Sequence, residues 1–290
     1  MKPVGSCRRP KRPLESIPSS RTGNTSVGLI MVMFQRLVSS STAAILSAMR
    51  GRLLRLQADE AESIADFMED WDSNTEEFTE DFDLVGIHYD QHFSQGKDEI
   101  AILQGLILMA EQCQLEETDA KAEALLKKLK ELESQDLTHP PKILVFTEFR
   151  STQAMLKRFF EKNGYQCESI NGSQDLDQRK VALTNFKNES RIMVATDAAG
   201  ESLNMQFCHI IFNYDLPWNP MMIEQRIGRV DRIGQKHEVK AFNILTENSV
   251  DLRVYEVIEE KLQHIMNQLG IDKTSDVLDS TIDVKKVNRL

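Results

Sequence analysis

Residues 225–235 read QRIGRVDRIGQ. Arg226, Arg229 and Arg232 stand three apart, between two glutamines and beside two glycines. A guanidinium grips two anionic oxygens at once through a planar fork, so arginines this dense suit a polyphosphate. Read as a helix at about 100° per residue, Gln225, Arg229 and Arg232 share one face and Arg226 lies off to its side. The competing reading is an exposed basic face paired with Glu224 and Asp231, and on spacing alone that reading ranks first. Small and hydrogen-bonding residues gather at four further places, 147–150, 171–172, 196–200 and 213–215.

Each of those four clusters follows a short apolar run, and the runs must position them. KILVFT from residue 142, then CESI, RIMVATD, HIIFNYD and VKAFNIL read as five strands. Helical patterns separate them, over 151–162, about 176–186 and up to Glu224, and a long one follows over 249–269. Apolar strands alternating with helices predict a parallel sheet covered on both faces. Ligands of such sheets meet the carboxyl ends of the strands, where the four clusters fall. Ahead of the sheet, helical spacing appears over 29–57 through Leu29, Val32, Met33, Leu37, Ile45, Met49 and Leu53. Two more helical stretches cover 97–114 and 119–134, the second amphipathic and ended by HPP.

Composition narrows the function classes. The chain has 290 residues and a formal net charge of −10. Residues 59–83 hold twelve Asp or Glu and no Lys or Arg, so the rest of the chain sums to +2. The acidity is local, and it does not exclude nucleic acid as a partner. Cys7, Cys113, Cys167 and Cys208 form no pair at metal-ligand spacing, and no metal site is expected. No apolar run reaches membrane-spanning length.

Taken together, 142–235 resembles the second RecA-like lobe of superfamily-two helicases. The match is closest to the Swi/Snf-like branch that includes the bacterial RNA-polymerase-associated translocase. KILVFTEFRST resembles motif IV, and INGS with RKVALTNF resembles motif IVa. VATDAAGESLNMQFCHIIFNYDLPWNP resembles motif V with its continuation, and QRIGRVDRIGQ resembles motif VI. FQRLVSSSTAAILSAMRGRL, DAKAEALLKKL and VYEVIEEKLQHI resemble the flanking helices of the same branch. The family often has glycine at the position of Ser202. The resemblance implies an α/β fold: a RecA-like three-layer parallel sheet with helices on both faces, preceded by a helical segment.

In that family ATP lies between two lobes. The resemblance therefore makes Arg232 the arginine finger on the γ-phosphate, with Arg229 beside it, and has Gln225 position the nucleotide or its attacking water. Gly200 and Glu201 would line the nucleotide face. Asp197 would couple that face to a nucleic-acid groove contacted by Thr147, Arg150, Asn171, Gly172 and Thr196. Trp218 reads as packing.

A complete motor also needs a phosphate loop and an acidic magnesium box. GNTSVGLI (23–30) has Leu29 and Ile30 where Lys and Ser or Thr belong, and DEAE (59–62) follows a helix end, not a buried strand. The expectation is half an ATPase, with Mg2+ held by a first lobe that is missing here. It would be a fragment, a split subunit or a remnant, its partners duplex DNA, that first lobe, and RNA polymerase or other DNA-bound machinery. A non-catalytic binding module is the alternative. The expected organisation is a disordered basic tail (1–28), a helical segment (29–58), an acidic linker or insertion (59–95), helices leading into the lobe (96–136), the lobe (137–270) and a tail (271–290). The expected location is the cytoplasm, on the nucleoid when DNA is bound.

Overall fold

The computed structural model describes residues 25–58, 97–112, 119–135, 140–200, 204–217, 219–246, 249, 252, 255 and 281–283. The basic tail up to residue 24, the acidic stretch, Glu201, Ser202, Trp218 and nearly all of the expected helix 249–269 lie outside them. Two helices open the described chain, α1 (Thr25–Ser40) and α2 (Thr42–Ala58), followed by α3 (Lys97–Gln112) and α4 (Ala120–Gln135). The alternating region follows: β1 (Ile143–Phe146), α5 (Arg150–Lys162), β2 (Cys167–Ile170), α6 (Leu176–Asn188) and β3 (Ile192–Ala195). A short α7 (Asp197–Gly200), β4 (Ile210–Asn213), α8 (Pro220–Ile227) and β5 (Lys240–Leu245) continue it.

All strand pairs are parallel, in the order β2-β3-β1-β4-β5-β6. The sixth strand, β6 (Thr281–Asp283), pairs with β5 inside the stretch read from sequence as a tail; three residues are too short a run to carry a periodic signal. Alternate side chains serve opposite faces, and both faces are apolar, as a sheet covered on two sides requires. Ile143, Val145, Ile192, Val194 and Phe212 pack with Leu125 and Leu129 of α4 and Leu156 and Phe160 of α5. Leu144, Phe146, Met193 and Ile211 pack on the other face with Ala182 and Phe186 of α6, Met205 and Val230. A separate small core joins α2 to α3 through Leu46, Met49, Leu103 and Ile107. Among the described residues, no helix is long and apolar enough to cross a membrane.

Register puts the candidate clusters side by side. Phe146 lies level with Ala195 and with Asn213, Ile170 with Ala195, and Asn213 with Asn243. The residues that follow are laced together, with Thr147 N–H donating to Ala195 O, Thr196 N–H to Ile170 O, and Tyr214 N–H to Phe146 O. One edge of the sheet therefore carries 147–150, 171–172, 196–200 and 213–215.

Candidate functional site

The strongest feature at that edge is Arg226, whose side chain is only 2% exposed. Its Nε and Nη2 donate to the two carboxylate oxygens of Asp197 at 2.7 and 2.6 Å. Its Nη1 donates to Asn213 Oδ1 at 3.0 Å and to the Asp215 carbonyl at 2.8 Å. The guanidinium also lies 5.2 Å from the centre of the Phe146 ring. Burial alone would lower the Arg226 pKa, but the Asp197 carboxylate beside it reverses the effect and raises it. Asn213 is held in turn, its Nδ2 donating to Asn243 Oδ1 at 2.8 Å.

A second cluster centres on the Asp215 side chain. Its Oδ2 accepts from Ser40 Oγ at 2.9 Å, from the Thr147 hydroxyl, and from the Glu148 N–H at 3.1 Å. Lys121 Nζ approaches Oδ1 at 3.5 Å and donates to Ser39 O at 2.9 Å. Arg36 pairs with both oxygens of Glu148. The hydroxyls of Ser40 and Ser41 share Thr152 Oγ1 at 2.8 and 2.7 Å. Charges buried this deeply are tolerable only when paired and hydrogen-bonded, and here every one of them is.

Burial pushes the Glu148 carboxyl up to about 8; Arg36 opposes that rise and Asp215 adds to it. The folded chain then holds a proton there that the unfolded chain releases near its ordinary 4.5. This group's contribution to stability therefore falls as pH rises through that window and is constant outside it. Glu148→Gln, which cannot titrate, should gain on the wild type across the window by at most about 1.4 kcal/mol per pH unit. Urea denaturation of both proteins at pH values from about 4 to about 9 measures the difference. A difference that stays flat would mean that the carboxyl titrates in the folded chain as it does in the unfolded one.

The arginine run is not one helix. Helix α8 starts at the Asn219 cap, whose side chain accepts the Met221 N–H, with Pro220 in the first turn. It ends at Ile227, so the single face expected for Gln225, Arg229 and Arg232 does not form as an ideal helix would form it. The reason is a competing bond, because Met205 N–H donates to the Arg229 carbonyl. That carbonyl is thereby drawn toward 204–206 and away from a continuing helix. Arg229 N–H and Val230 N–H turn back to Arg226 O and Ile227 O, and buried Val230 enters the core. The turn is braced beyond that point. Gln235 Nε2 donates to the carbonyls of Gln206, Cys208 and Val230, and Gln206 Nε2 donates to Ile233 O. Gly234 sits at φ +103°, a conformation open mainly to glycine. On this frame Arg229 is half-buried and Arg232 exposed, with Arg232 Nε donating to Gly228 O at 3.1 Å. Gln225 is exposed one turn earlier.

The expected nucleic-acid residues divide by burial. Thr147 and Thr196 are wholly buried, and the Thr147 hydroxyl is engaged with Asp215. Arg150, Asn171 and Gly172 are half-buried. Asn171 is oriented by Gln153, whose amide also donates to Ile170 O and Val194 O and so ties β2 to β3. Arg179 holds the Gly172 carbonyl at 2.9 Å. Gly200 closes α7, and Glu201 lies outside the described residues. Sequence reasoning missed four participants, Arg226 as a buried pair, Asp215 as a hub and the α1 residues Arg36 and Ser40. Arg226 carried a readable signal, since it falls three after Ile223 and four before Val230, on the buried face.

Among the described residues no group of three or more His, Cys, Asp or Glu could hold a metal ion. Burial pushes the Cys167 and Cys208 thiols up to about 12, so neither is available as a nucleophile near neutral pH.

Residues 120–234 match the helicase conserved C-terminal domain. The chain is 36% identical over 137 residues to the uncharacterized ATP-dependent helicase YqhH of Bacillus subtilis, covering 47% of this chain and 24% of that one. It is 32% identical over 162 residues to the human SWI/SNF-related matrix-associated actin-dependent regulator of chromatin subfamily A member 1, covering 53% and 15%. The chain thus spans a quarter or less of the length of these relatives. Its fold is that of the C-terminal part of the Fun30 ATPase domain, with a TM-score of 0.50 at 18% identity, covering 82% of this chain and 74% of that one. Residues 120–234 carry the match to a helicase C-terminal domain, and this part of the chain is similar to Swi/Snf-type ATP-dependent helicases.

Proposed function

We propose that this chain is the arginine-bearing half of an ATP-driven motor that tracks along duplex DNA. The observation that carries the reading is the division of labour inside QRIGRVDRIGQ. Arg226 is locked in the interior, while Arg232 stands exposed on a braced turn with half-buried Arg229 three residues before it. An exposed guanidinium on a rigid frame suits the oxygens of a phosphate chain held by another surface, and it needs no rearrangement to meet them. Arg232 would neutralise charge developing on the transferred phosphoryl group, Arg229 would lie beside it, and Gln225 would position the nucleotide or the attacking water. Gly200 and Glu201 would belong to the same nucleotide face. Mg2+ does not fit the described residues, which offer no acidic cluster for it, so the motor's metal would belong to a first lobe. Arg150, Asn171 and Gly172 offer hydrogen-bond donors and acceptors suited to a phosphate backbone, with Thr147, Thr196 and Asp197 holding their strand ends in place.

The test joins this chain, as a single-chain fusion, to the first lobe of a relative such as the Bacillus subtilis helicase. Steady-state ATPase is measured with and without duplex DNA. The chain alone should stay at background, because its sequence contains no phosphate-loop lysine. The fusion should turn over ATP and be stimulated by DNA. A folded fusion with no DNA-stimulated turnover would overturn the reading.

DNA binding by the chain alone should be weak and independent of sequence. Residues 142–247 hold fourteen Lys or Arg against thirteen Asp or Glu, so few phosphates can be neutralised. Affinity should still fall with salt, with a logarithmic slope of about −0.9 for each phosphate contacted. Fluorescence anisotropy across a salt series measures it, and salt-independent binding would argue against a phosphate-tracking groove.

A further inference from the structure

Helices α1 and α2 precede the matched family domain of residues 120–234, yet the polar side chains of α1 end inside its motif-bearing edge. Asp215 is where they converge. Three donors meet its Oδ2 and the Lys121 ammonium faces its Oδ1, so the carboxylate has no freedom to turn. The carbonyl of the same residue accepts Arg226 Nη1, and Arg226 in turn grips Asp197 with both arms of its fork. A displacement of Asp215 must therefore move the partner that fixes Arg226, and with it the first residue of α7. Ser40, Lys121, Thr147, Asp215 and Arg226 are all buried, so water cannot replace a bond that is lost.

We propose that Asp215 is a positioning residue through which Ser40 of helix α1 and Lys121 of helix α4 hold Arg226 and Asp197 in place. The inference takes its functional meaning from the motor reading, whereas its geometry stands without it. The helical segment would then set the shape of the edge that nucleotide and DNA are expected to meet, a role beyond covering the sheet.

Amide hydrogen exchange on the full chain, read by mass spectrometry without nucleotide or DNA, tests it. Ser40→Ala should raise exchange at 197–200 and 226–230 by about tenfold, the effect of losing one hydrogen bond to a charged group. Exchange at 143–146 and 192–195 should not change. Ser40→Thr, which keeps the hydroxyl, should restore protection. Asp215→Asn keeps the shape but removes the charge facing Lys121, and it should act in the same direction and more strongly; if that variant does not fold, Lys121→Met replaces it. Unchanged exchange at both segments in Ser40→Ala would overturn the proposal. So would a rise spread evenly over the sheet, which marks a merely structural role, or a rise in Asp215→Asn alone, which would remove helix α1 from it. None of these outcomes depends on ATP turnover, so a failed reconstitution and a failed coupling remain distinguishable.

Discussion

Arg232→Ala is expected to lower the DNA-stimulated ATPase of the two-lobe fusion by roughly 10³–10⁵, the range that arginine fingers contribute. The side chain is exposed, and its hydrogen bond runs to the carbonyl of Gly228, so truncation removes no core contact. Stability should stay within about 0.5 kcal/mol of the wild type, as for surface substitutions generally. DNA affinity should change little, which places the loss in turnover and not in binding. Arg229→Ala should act in the same direction. Arg232→Lys is the informative control, since it keeps the charge but not the planar fork, and it should recover only a small part of the rate. Single-turnover ATPase at saturating DNA separates the chemical step from release. A full-rate Arg232→Ala would remove the arginine-finger reading.

Arg226→Ala is expected to fail for a different reason, with a loss of folding free energy of about 3–5 kcal/mol. The truncation strands the Asp197 carboxylate, which is only 12% exposed, along with Asn213 Oδ1 and the Asp215 carbonyl. It also empties the space over the Phe146 ring. For a domain of this size the midpoint of thermal unfolding should fall by about 10 °C. Arg226→Lys should lie between the two, because an ammonium cannot serve both Asp197 oxygens and Asn213 in one plane. From sequence, Arg226 lies off the arginine face, and its removal is expected to lose much less turnover than removal of Arg232. The burial of Arg226 adds a second effect, because a destabilised lobe loses turnover as the temperature approaches its lowered midpoint. A stable Arg226→Ala would mean that Asp197 finds another partner.

The contrast between these arginines shows what the sequence reveals and where it stops. The strands were legible because most are apolar runs bounded by polar residues, β2 with its central Glu168 and Ser169 being the exception, and their parallel pairing followed from the helices between them. The strand ends were legible for the same reason, so the sequence places Thr147 and Asp197 just beyond β1 and β3, where the structure has them. The end of α8 was not, because it depends on the Met205 bond to Arg229 O, a contact across 24 residues that periodicity cannot register. Arg36 and Glu148 are 112 positions apart and Ser40 and Asp215 are 175 apart, distances over which one sequence carries no pairing signal. Local spacing records faces of helices and sides of strands. It does not record which buried charge will meet which.

The strand order has a consequence for synthesis on the ribosome. β1 is made first, yet its neighbours are β3 and β4, while β2 pairs only with β3. No two strands made before residue 192 are partners in the finished sheet. The nascent chain therefore carries two unpaired strands, the apolar β1 and the mixed β2, until β3 emerges and slots between them. Ser40 waits longer still, since its acceptor Asp215 follows 175 residues later. A ribosome stalled within that interval would hold β1 and β2 without their shared neighbour and Ser40 without its Asp215 acceptor. Such a nascent chain is a client for chaperones, and pausing anywhere between the codons for 146 and 215 should increase its capture by them.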